Sequence, residues 1–557
     1  MIPPVKFKPS FTMCPECGKR LTLNSRYGRK LKTSSGIFPI INEIMECSIH
    51  GIYRSDILGS IVSPHCTYAN DIMIKAAMEM FLDGRSSSEV SLIKETGISD
   101  RHVRRLAGMA LTIFSEIHEE SLDKLRKEIK SYILQIDGTV DSDFAMIVVV
   151  RDAISGFVLY AKKCHSESEA SIEEIFLTVR ERFGIPAGII SDMREGILSA
   201  AGNVFPRVPI RICLMHFLRD LGKDLMDELH KALGSAINRA GIKSKLKAIL
   251  RNMPDYDQVT LYEIEYGYCS KRNTMENMSI RRILEKITSI NGSSGYGFPF
   301  SLRHLNFFNA CKDAMKHLAD LREKTDRRET LDLISQIMNN LSKITKNAHT
   351  DHMAHDLSDI NSLVFQKIRN GFSIPDSGNL SEEKKYDSLK DDPVIHESIG
   401  IIMGEFLVYM KTRIEAHIFS AAKHAIDQYT KWESYLYAKN PEGTIPRTNN
   451  GIEGFFRRMR RNVRKRCGNI ATGNILTQSG VQLALFQNMG NRKYKGIVFG
   501  SEDISSVFAK HRKHFRKDEM TRKRKMELVD AGTEKILNNK IPDSPYNNEM
   551  WEQYKRV

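Results

Sequence analysis

The sequence predicts a multidomain α/β protein, in which a cysteine-paired N-terminal module and a basic helical segment precede a mixed-sheet core interrupted by a large all-α insertion. Three observations predict it. At 557 residues the chain exceeds what one hydrophobic core takes in, so roughly three to four domains are expected. The apolar period is helical over residues 70–118, changes over 131–225 to β-rich runs with one helix, and is almost entirely helical from about 218 to 439. The cysteines gather in short chelating pairs near the N-terminus. These signals divide the chain at 1–66, 67–125, 126–220, 221–440 and 441–500, with a basic tail over 501–557.

Hydrophobic residues make up 41% and charged residues 27%, ordinary globular values that exclude wholesale disorder and a fibrous class. Against 68 Asp+Glu stand 83 Lys+Arg, a net charge of +15, which favours a polyanionic partner through phosphate neutralisation. A membrane is the competitor. The most apolar run, "IGIIMGEFLVYMKTRIEAHIF", is broken by Glu405, Lys411, Arg413 and Glu415, short of the ~20 residues a spanning helix needs. The start "MIPPVKFKPS" lacks an apolar signal core. The expectation is an intracellular, nucleoid-associated protein with a nucleic acid as partner and no membrane. Nine cysteines are too few for a disulfide scaffold at this length, so reduced thiols are expected.

In the first segment, Cys14/Cys17 and Cys47/His50 flank polar, β-prone sequence, the arrangement in which two knuckles pinch one tetrahedral Zn²⁺. The "CPECG" knuckle resembles zinc-ribbon modules. Cys66 and His65 are the substitute ligands, and two unrelated surface turns are the plainer alternative.

The second segment reads as a helix-turn-helix. In "SSSEVSLIKETGISDRHVRRLAGMAL" a serine cap opens a helix with Val90, Leu92 and Ile93 inward. The chain turns at Gly97, and a second helix restarts after Ser99 and Asp100 with Val103 and Leu106 inward. That second helix exposes Arg101, His102, Arg104 and Arg105, as a groove-reading helix does. A small helical bundle with a basic face is the alternative.

Next come three β-rich runs, "YILQID", "FAMIVVVRD" and "FVLYAKK", separated by turn-like sequence. An amphipathic helix over 166–184 and a fourth strand, "AGIISD", follow. A meander, a helix and a strand make an α/β pattern with a mixed sheet, and the apolar run 145–150 suits a strand covered on both faces. The stretch to about 439 carries no repeat and no chemical motif.

Asp137 closes the first strand and Asp192 follows the fourth, positions from which an acid at a sheet rim is held rigidly yet reaches solvent. Each alone is unremarkable, because Asp commonly caps strands and turns. Asp141, Asp143, Asp152 and Glu195 lie nearby; Asp152 reads as a hairpin-turn residue and Glu195 as the substitute for Asp192. The third acid is Glu453, in "TNNGIEGFFRRMRRNVRKRCGN". At about 100° per residue, Phe455, Phe456, Met459 and Val463 fall on one side of a helix. Glu453, Arg457, Arg460, Arg461 and Arg464 fall on the other. "TNN" offers caps for its start. An i,i+4 pair of Glu453 with Arg457 is the plainer reading. Three carboxylates, however, suit two Mg²⁺ or Mn²⁺ ions ~3.5–4 Å apart at a phosphodiester, and the arginines suit the phosphates.

In its order of "QIDGT", "ISDMREGI", "CLMHF", a helical insertion and "TNNGIEGFFRRMRR", the chain resembles the DDE transposases of the Mutator-like superfamily and their bacterial and archaeal insertion-sequence relatives. The resemblance covers roughly residues 130–490. It implies an RNase H-like catalytic core with Asp137, Asp192 and Glu453 as catalytic metal ligands. It also implies supporting roles for Cys213 and His216, the family's Cys-x-x-His motif, and for Asn449 and Asn450. For Cys213 and His216, half a metal site, a brace of the site or a contact to DNA beside the scissile phosphate, and a simple core pair all stay open. The expected function is two-metal cleavage and strand transfer of double-stranded DNA at an element's terminal inverted repeats, by a homodimer or larger assembly. A catalytically inactive, transposase-derived DNA-binding regulator is the alternative from another class; an RNase H-like nuclease acting on RNA or branched DNA is a third.

Overall fold

The computed structural model describes residues 3–512 apart from 64–65, 94–96, 141–145, 167, 257, 268–271, 291–296, 375–391, 413–414, 438–444 and 469–472, together with 526 and 529–530. Asp141, Asp143, His65 and most of the basic tail therefore lie outside the described residues. The chain is mixed α/β and divides into two compact units, one of residues 1–186 with 450–557, the other of residues 187–449.

The first unit opens with a small sheet. Strands β1 (Val5–Phe7), β2 (Thr22–Thr33), β3 (Gly36–Cys47) and β4 (Gly51–Tyr53) pair around β3. β2 and β3 form a long antiparallel hairpin, and β1 lies parallel to β3 with Val5 opposite Ile40. The helices Asn70–Phe81, Ser87–Ile93 and Asp100–Glu120 then pack on one another. Ser86 and Glu89 form a reciprocal cap at the second helix, with Ser86 N–H donating to Glu89 Oε2 at 2.6 Å and Glu89 N–H to Ser86 Oγ at 3.1 Å. Ser99 Oγ accepts from His102 N–H at the start of the third. Gly97, at φ +60°, makes the turn between them. Val90 is buried as expected, but Leu92 is 83% exposed, because the seven-residue helix is too short to bury a second face.

The third helix runs 21 residues, well past a recognition segment. Its C-terminal half becomes core: Phe114 meets Phe486 edge-on at 5.3 Å, and the fully buried His118 bonds Tyr494 Oη at 2.6 Å. One rigid element thus joins the basic tip to the larger sheet of this unit. That sheet holds an antiparallel meander of β5 (Ile133–Val140), β6 (Met146–Asp152) and β7 (Val158–Cys164). Every β6 residue is buried, as the apolar run predicts. The helix Gly473–Phe486 covers β6 and β7, so closely that a Cβ on Gly480 would strike Ile147. Asp152 is the hairpin-turn residue: its carboxylate accepts from Ile133, Ile154 and Ser155 N–H.

The second unit starts with β8 (Gly188–Ser191) and β9 (Ile210–Ile212), a parallel pair linked through the helix Glu195–Val204. Between Leu214 and Leu436 its described residues are mainly helical, around one large core that includes Phe217, Phe308, Val364, Phe365, Phe406 and Trp432. Pro393–Lys411 is, among the described residues, the one helix long and apolar enough by length and composition to cross a membrane; it is mostly exposed, with Val394, Ile401 and Val408 outward.

Candidate functional site

Two knuckles bring the N-terminal ligand set together. The first is a tight turn bridged between Met13 and Arg20, in which Gly18 adopts φ +69° and donates its N–H to the Cys14 carbonyl at 2.8 Å. The second turns between β3 and β4, where Cys47 pairs with Gly51 at φ +85°. Cys17 Sγ lies 3.5 Å from Cys47 Sγ, and His50 Nδ1 lies 3.5 and 3.8 Å from Cys14 and Cys47 Sγ. All four ligand atoms fall within 4.8 Å of one another. Such edges suit a tetrahedral ion bonded to sulfur at ~2.3 Å, so this Cys₃His cluster can hold zinc. Around it, Tyr53 Oη contacts Cys14 Sγ at 3.2 Å and donates to Glu16 at 2.9 Å. Burial raises the Cys14 thiol, but the Tyr53 hydroxyl and the Glu16 and Cys17 amides outweigh it and bring it to about 6, ready to ligate as thiolate. Cys66 is engaged elsewhere, its Sγ 3.7 Å from Arg512 Nη2.

Of the four basic residues expected on the groove-reading helix, Arg101, Arg104 and Arg105 are exposed, with Arg104 paired to Asp100 at 2.9 Å. His102 departs from that expectation. It is half-buried with its ring 4.7 Å from that of Tyr68, because one turn before Leu106 it faces the packed side of the helix. Burial, with the Arg105 and Arg512 charges, lowers its pKa, which favours a neutral packing residue.

Asp137 lies within β5 rather than past its end, since "GTV" continues the ladder to Val140 opposite Met146. It is half-buried, and its Oδ1 accepts from Gly138 N–H at 2.8 Å. The helix Asn450–Cys467 packs its first turn against β5. Gly451 lies at the contact, where a Cβ would sit 3.2 Å from Gln135 Oε1, a tight approach to that side chain. The buried Arg151 of β6 fastens the same turn, its Nη1 donating to the Gly451 carbonyl at 2.6 Å and its guanidinium lying 5.1 Å from the centre of the Phe455 ring. Burial and the Arg458 charge lower Arg151 to about 10, which leaves it a cation at neutral pH. Asp137 is two residues along β5 from Gln135, and Glu453 two residues along the helix from Gly451. The strand that carries Asp137 and the helix that carries Glu453 thus pack together in one unit, and Glu453 Oε1 is buried.

The rest of that helix follows its predicted faces. Phe455, Phe456, Met459 and Val463 are buried, Arg457, Arg461 and Arg464 are exposed, and Arg460 is intermediate. Sequence reasoning missed its far-end anchor. Asn462 is buried and donates to the Leu82 carbonyl at 2.7 Å, against Gly84 at φ +70°. A polar residue on an otherwise apolar face was the available signal. Arg466, 4.7 Å from the centre of the Phe81 ring, completes the dock onto the three-helix cluster.

Asp192 belongs to the second unit. It follows β8 with its Oδ2 3.0 Å from Arg194 Nε, and burial raises its pKa against the pull of the Arg194 N–H and His216. Cys213 caps the helix Leu214–Ala240, donates its N–H to the Ser191 carbonyl at 2.8 Å, and accepts from Asn449 N–H on Sγ at 3.1 Å. Cys213 is thus a buried residue that ties the 447–449 segment to the end of β8. Asn449 is fully buried there, while Asn450 begins the 450–467 helix of the first unit. Glu195 points to Lys431 at 3.4 Å with its side chain 81% exposed, so it is a surface ion-pair residue.

No protein-family model matches the chain, and no curated protein matches it.

Proposed function

We propose that the chain is a metal-dependent DDE-type DNA transposase. One observation supports the reading: the strand that carries Asp137 and the helix that carries Glu453 pack against each other through Gly451, Gln135 and Arg151. Beside them runs a solvent-facing row of Arg457, Arg461 and Arg464. An acid set into a basic helix face is what phosphodiester chemistry asks for, because cations must be held where polyanionic backbone is gripped. The finer architecture goes with it. An antiparallel meander, a helix and a parallel strand pair, in that chain order, is similar to the RNase H-like core. The N-terminal sheet is read as a zinc ribbon, and residues 70–120 as a helix-turn-helix for end recognition.

The residues fit divalent Mg²⁺ or Mn²⁺, which prefer oxygen donors. In the first unit Asp137 and Glu453 would hold divalent metal, which would supply Lewis-acid activation of a water or 3′-hydroxyl and stabilisation of the leaving oxygen; Asp192 is the third acid that the resemblance implies. The protein's own part is positional. Arg151 and Gln135 fix the helix turn that carries Glu453, Cys213 fixes the segment beside Asp192, and the exposed arginines bind phosphates. Arg101, Arg104 and Arg105 supply base and backbone contacts from the helical tip. Double-stranded DNA is the partner, and two ends cut and joined together require a dimer or larger assembly.

The test is Mn²⁺-dependent nicking and strand transfer by the purified full chain, on duplexes drawn from the DNA flanking its gene. Asp137→Ala and Glu453→Gln should each lower cleavage by on the order of 10³-fold while leaving duplex binding intact. Equal cleavage by wild type and variants, or binding without cleavage by the wild type, would overturn the enzyme and favour the regulator.

A further inference from the structure

The second unit carries a cluster of metal-ligating side chains that the proposed function does not use. On the helix Ala348–Asp359, the sequence "HMAHDLSD" stacks two histidine–aspartate pairs at i,i+4. His352 Nδ1 lies 3.0 Å from Asp356 Oδ2, and His355 Nδ1 lies 3.3 Å from Asp359 Oδ2. The start of the helix Ala416–Leu436 closes on the same spot with Glu415 and His417. His417 Nε2 is 3.6 Å from Asp359 Oδ2, and its Nδ1 is 3.5 Å from Glu415 Oε2 and 3.7 Å from Asp356 Oδ1.

Three features set this cluster apart from a surface ion-pair network. In a chain with 83 Lys+Arg, the ion pairs of Asp356, Asp359 and Glu415 among the described residues are with histidines only, so three carboxylates face imidazole nitrogens, a nitrogen and oxygen donor set. The His417 contacts exceed ordinary hydrogen-bond lengths. Yet a tetrahedral ion bonded to nitrogen and oxygen at ~2.0–2.1 Å separates its ligands by about 3.3 Å, close to the His355–Asp359 spacing. Finally, the inner groups are built in: the Asp356 and His417 side chains are 13% and 18% exposed, while His355 and Glu415 open to solvent at 64% and 61%. A π-helical turn, Ile360–Phe365, begins directly after Asp359, a feature frequent at functional sites.

We propose that His355, Asp359 and Glu415 bind a divalent first-row transition-metal ion, of which Zn²⁺ is the probe. Their ligand atoms all lie within 4.8 Å of one another. Imidazole nitrogen with carboxylate oxygen and no sulfur selects this class rather than the thiolate chemistry of the N-terminal cluster. His417 lies behind the three ligands, its Nε2 3.6 Å from Asp359 and its Nδ1 3.5 Å from Glu415. The bound ion ties together two helix ends far apart in the chain.

Equilibrium dialysis of the full chain against Zn²⁺, with metal content measured, tests it. Wild type should hold two zinc ions, and Cys14→Ser one. In the Cys14→Ser background, His355→Ala and Glu415→Gln should each weaken the remaining ion by about 10–100-fold, with helical circular dichroism unchanged. Co²⁺ bound in that background should show visible absorption without the thiolate charge-transfer band. Absence of the second ion from Cys14→Ser protein that retains its helical signal, or equal Zn²⁺ affinity in the His355→Ala/Glu415→Gln pair, would overturn the proposal. A thiolate band would overturn it too.

Discussion

The two ligand clusters are built by opposite means. In the first unit, Cys14, Cys17, Cys47 and His50 sit on turns whose geometry depends on left-handed glycines, at the edge of a small sheet whose local core is only Cys14, Leu21 and Cys47 with Phe11, Met45 and Tyr53 against it. In the second, His355, Asp359 and Glu415 hang from helices already held by Met353, Leu357, Ile360 and Ile418 beneath them. A metal on the knuckles would replace a missing hydrophobic core, whereas a metal on the helices would add to one that exists. The same kind of ion would then have a folding role in one place and an accessory role in the other.

The largest effect expected from that difference is at Cys14. Cys14→Ser should abolish zinc on the knuckles and remove hydrogen-exchange protection from residues 5–53, since structural zinc supplies on the order of 10 kcal/mol to such modules. His355→Ala should leave exchange over 348–365 nearly unchanged. Protected knuckle strands in the Cys14→Ser protein would erase the contrast and make both metals accessory.

The cores invite a second comparison. Gly480, against Ile147, and Gly222, 2.7 Å in Cβ terms from Phe365, are helix glycines that bring another element into contact. An alanine at either should cost about 1–3 kcal/mol by overpacking. Trp432 is buried in the second unit, so in a Trp551→Phe background its fluorescence follows that unit. Gly222→Ala should lower the urea midpoint read by Trp432. Gly480→Ala should leave it in place if the two units unfold separately. A shift of the Trp432 midpoint by Gly480→Ala would mean that they unfold as one.

These glycines also mark the limit of what the sequence discloses. The strands β5 to β8, the 169–183 helix, the caps at Ser86 and Ser99, and the buried face of the 450–467 helix were legible, because each is set by a local period or a neighbouring side chain. The four zinc-type ligands were legible too, as two short spacings. Asp137's place inside a strand was not, because "GTV" reads as a turn and becomes strand only by pairing with Met146–Val148. His102 was misread because amphipathicity does not reveal that Tyr68 covers one edge of the helix. Asn462, Arg151 and the 355/359/415 group were invisible for one reason: each acquires its role from a residue dozens to hundreds of positions away.

The smallest predicted effect concerns protons. His230 in the second unit is held neutral: burial comes first, with the His304 and Arg303 charges behind it, and together they lower its pKa to about 4. Its Nε2 accepts from His304 N–H at 3.4 Å and its ring stacks on Phe298, both uses of the unprotonated form. A histidine whose folded pKa lies below its unfolded value near 6.5 contributes fully above pH 6.5, and that contribution is lost as pH falls towards 4, where the unfolded chain binds the proton more readily. The Trp432 midpoint should therefore drop across this window, by an amount on the order of 1 kcal/mol once solvent screening is allowed for. His230→Gln keeps an acceptor for His304 and removes the proton site, so it should flatten that part of the profile. His118 in the first unit is also lowered by burial and by the Arg182 charge, against the Leu159 carbonyl and the Glu119 charge that raise it. His118→Gln should accordingly leave the Trp432 profile as it is, and a profile flattened by His118→Gln and not by His230→Gln would assign the acid sensitivity to the wrong unit.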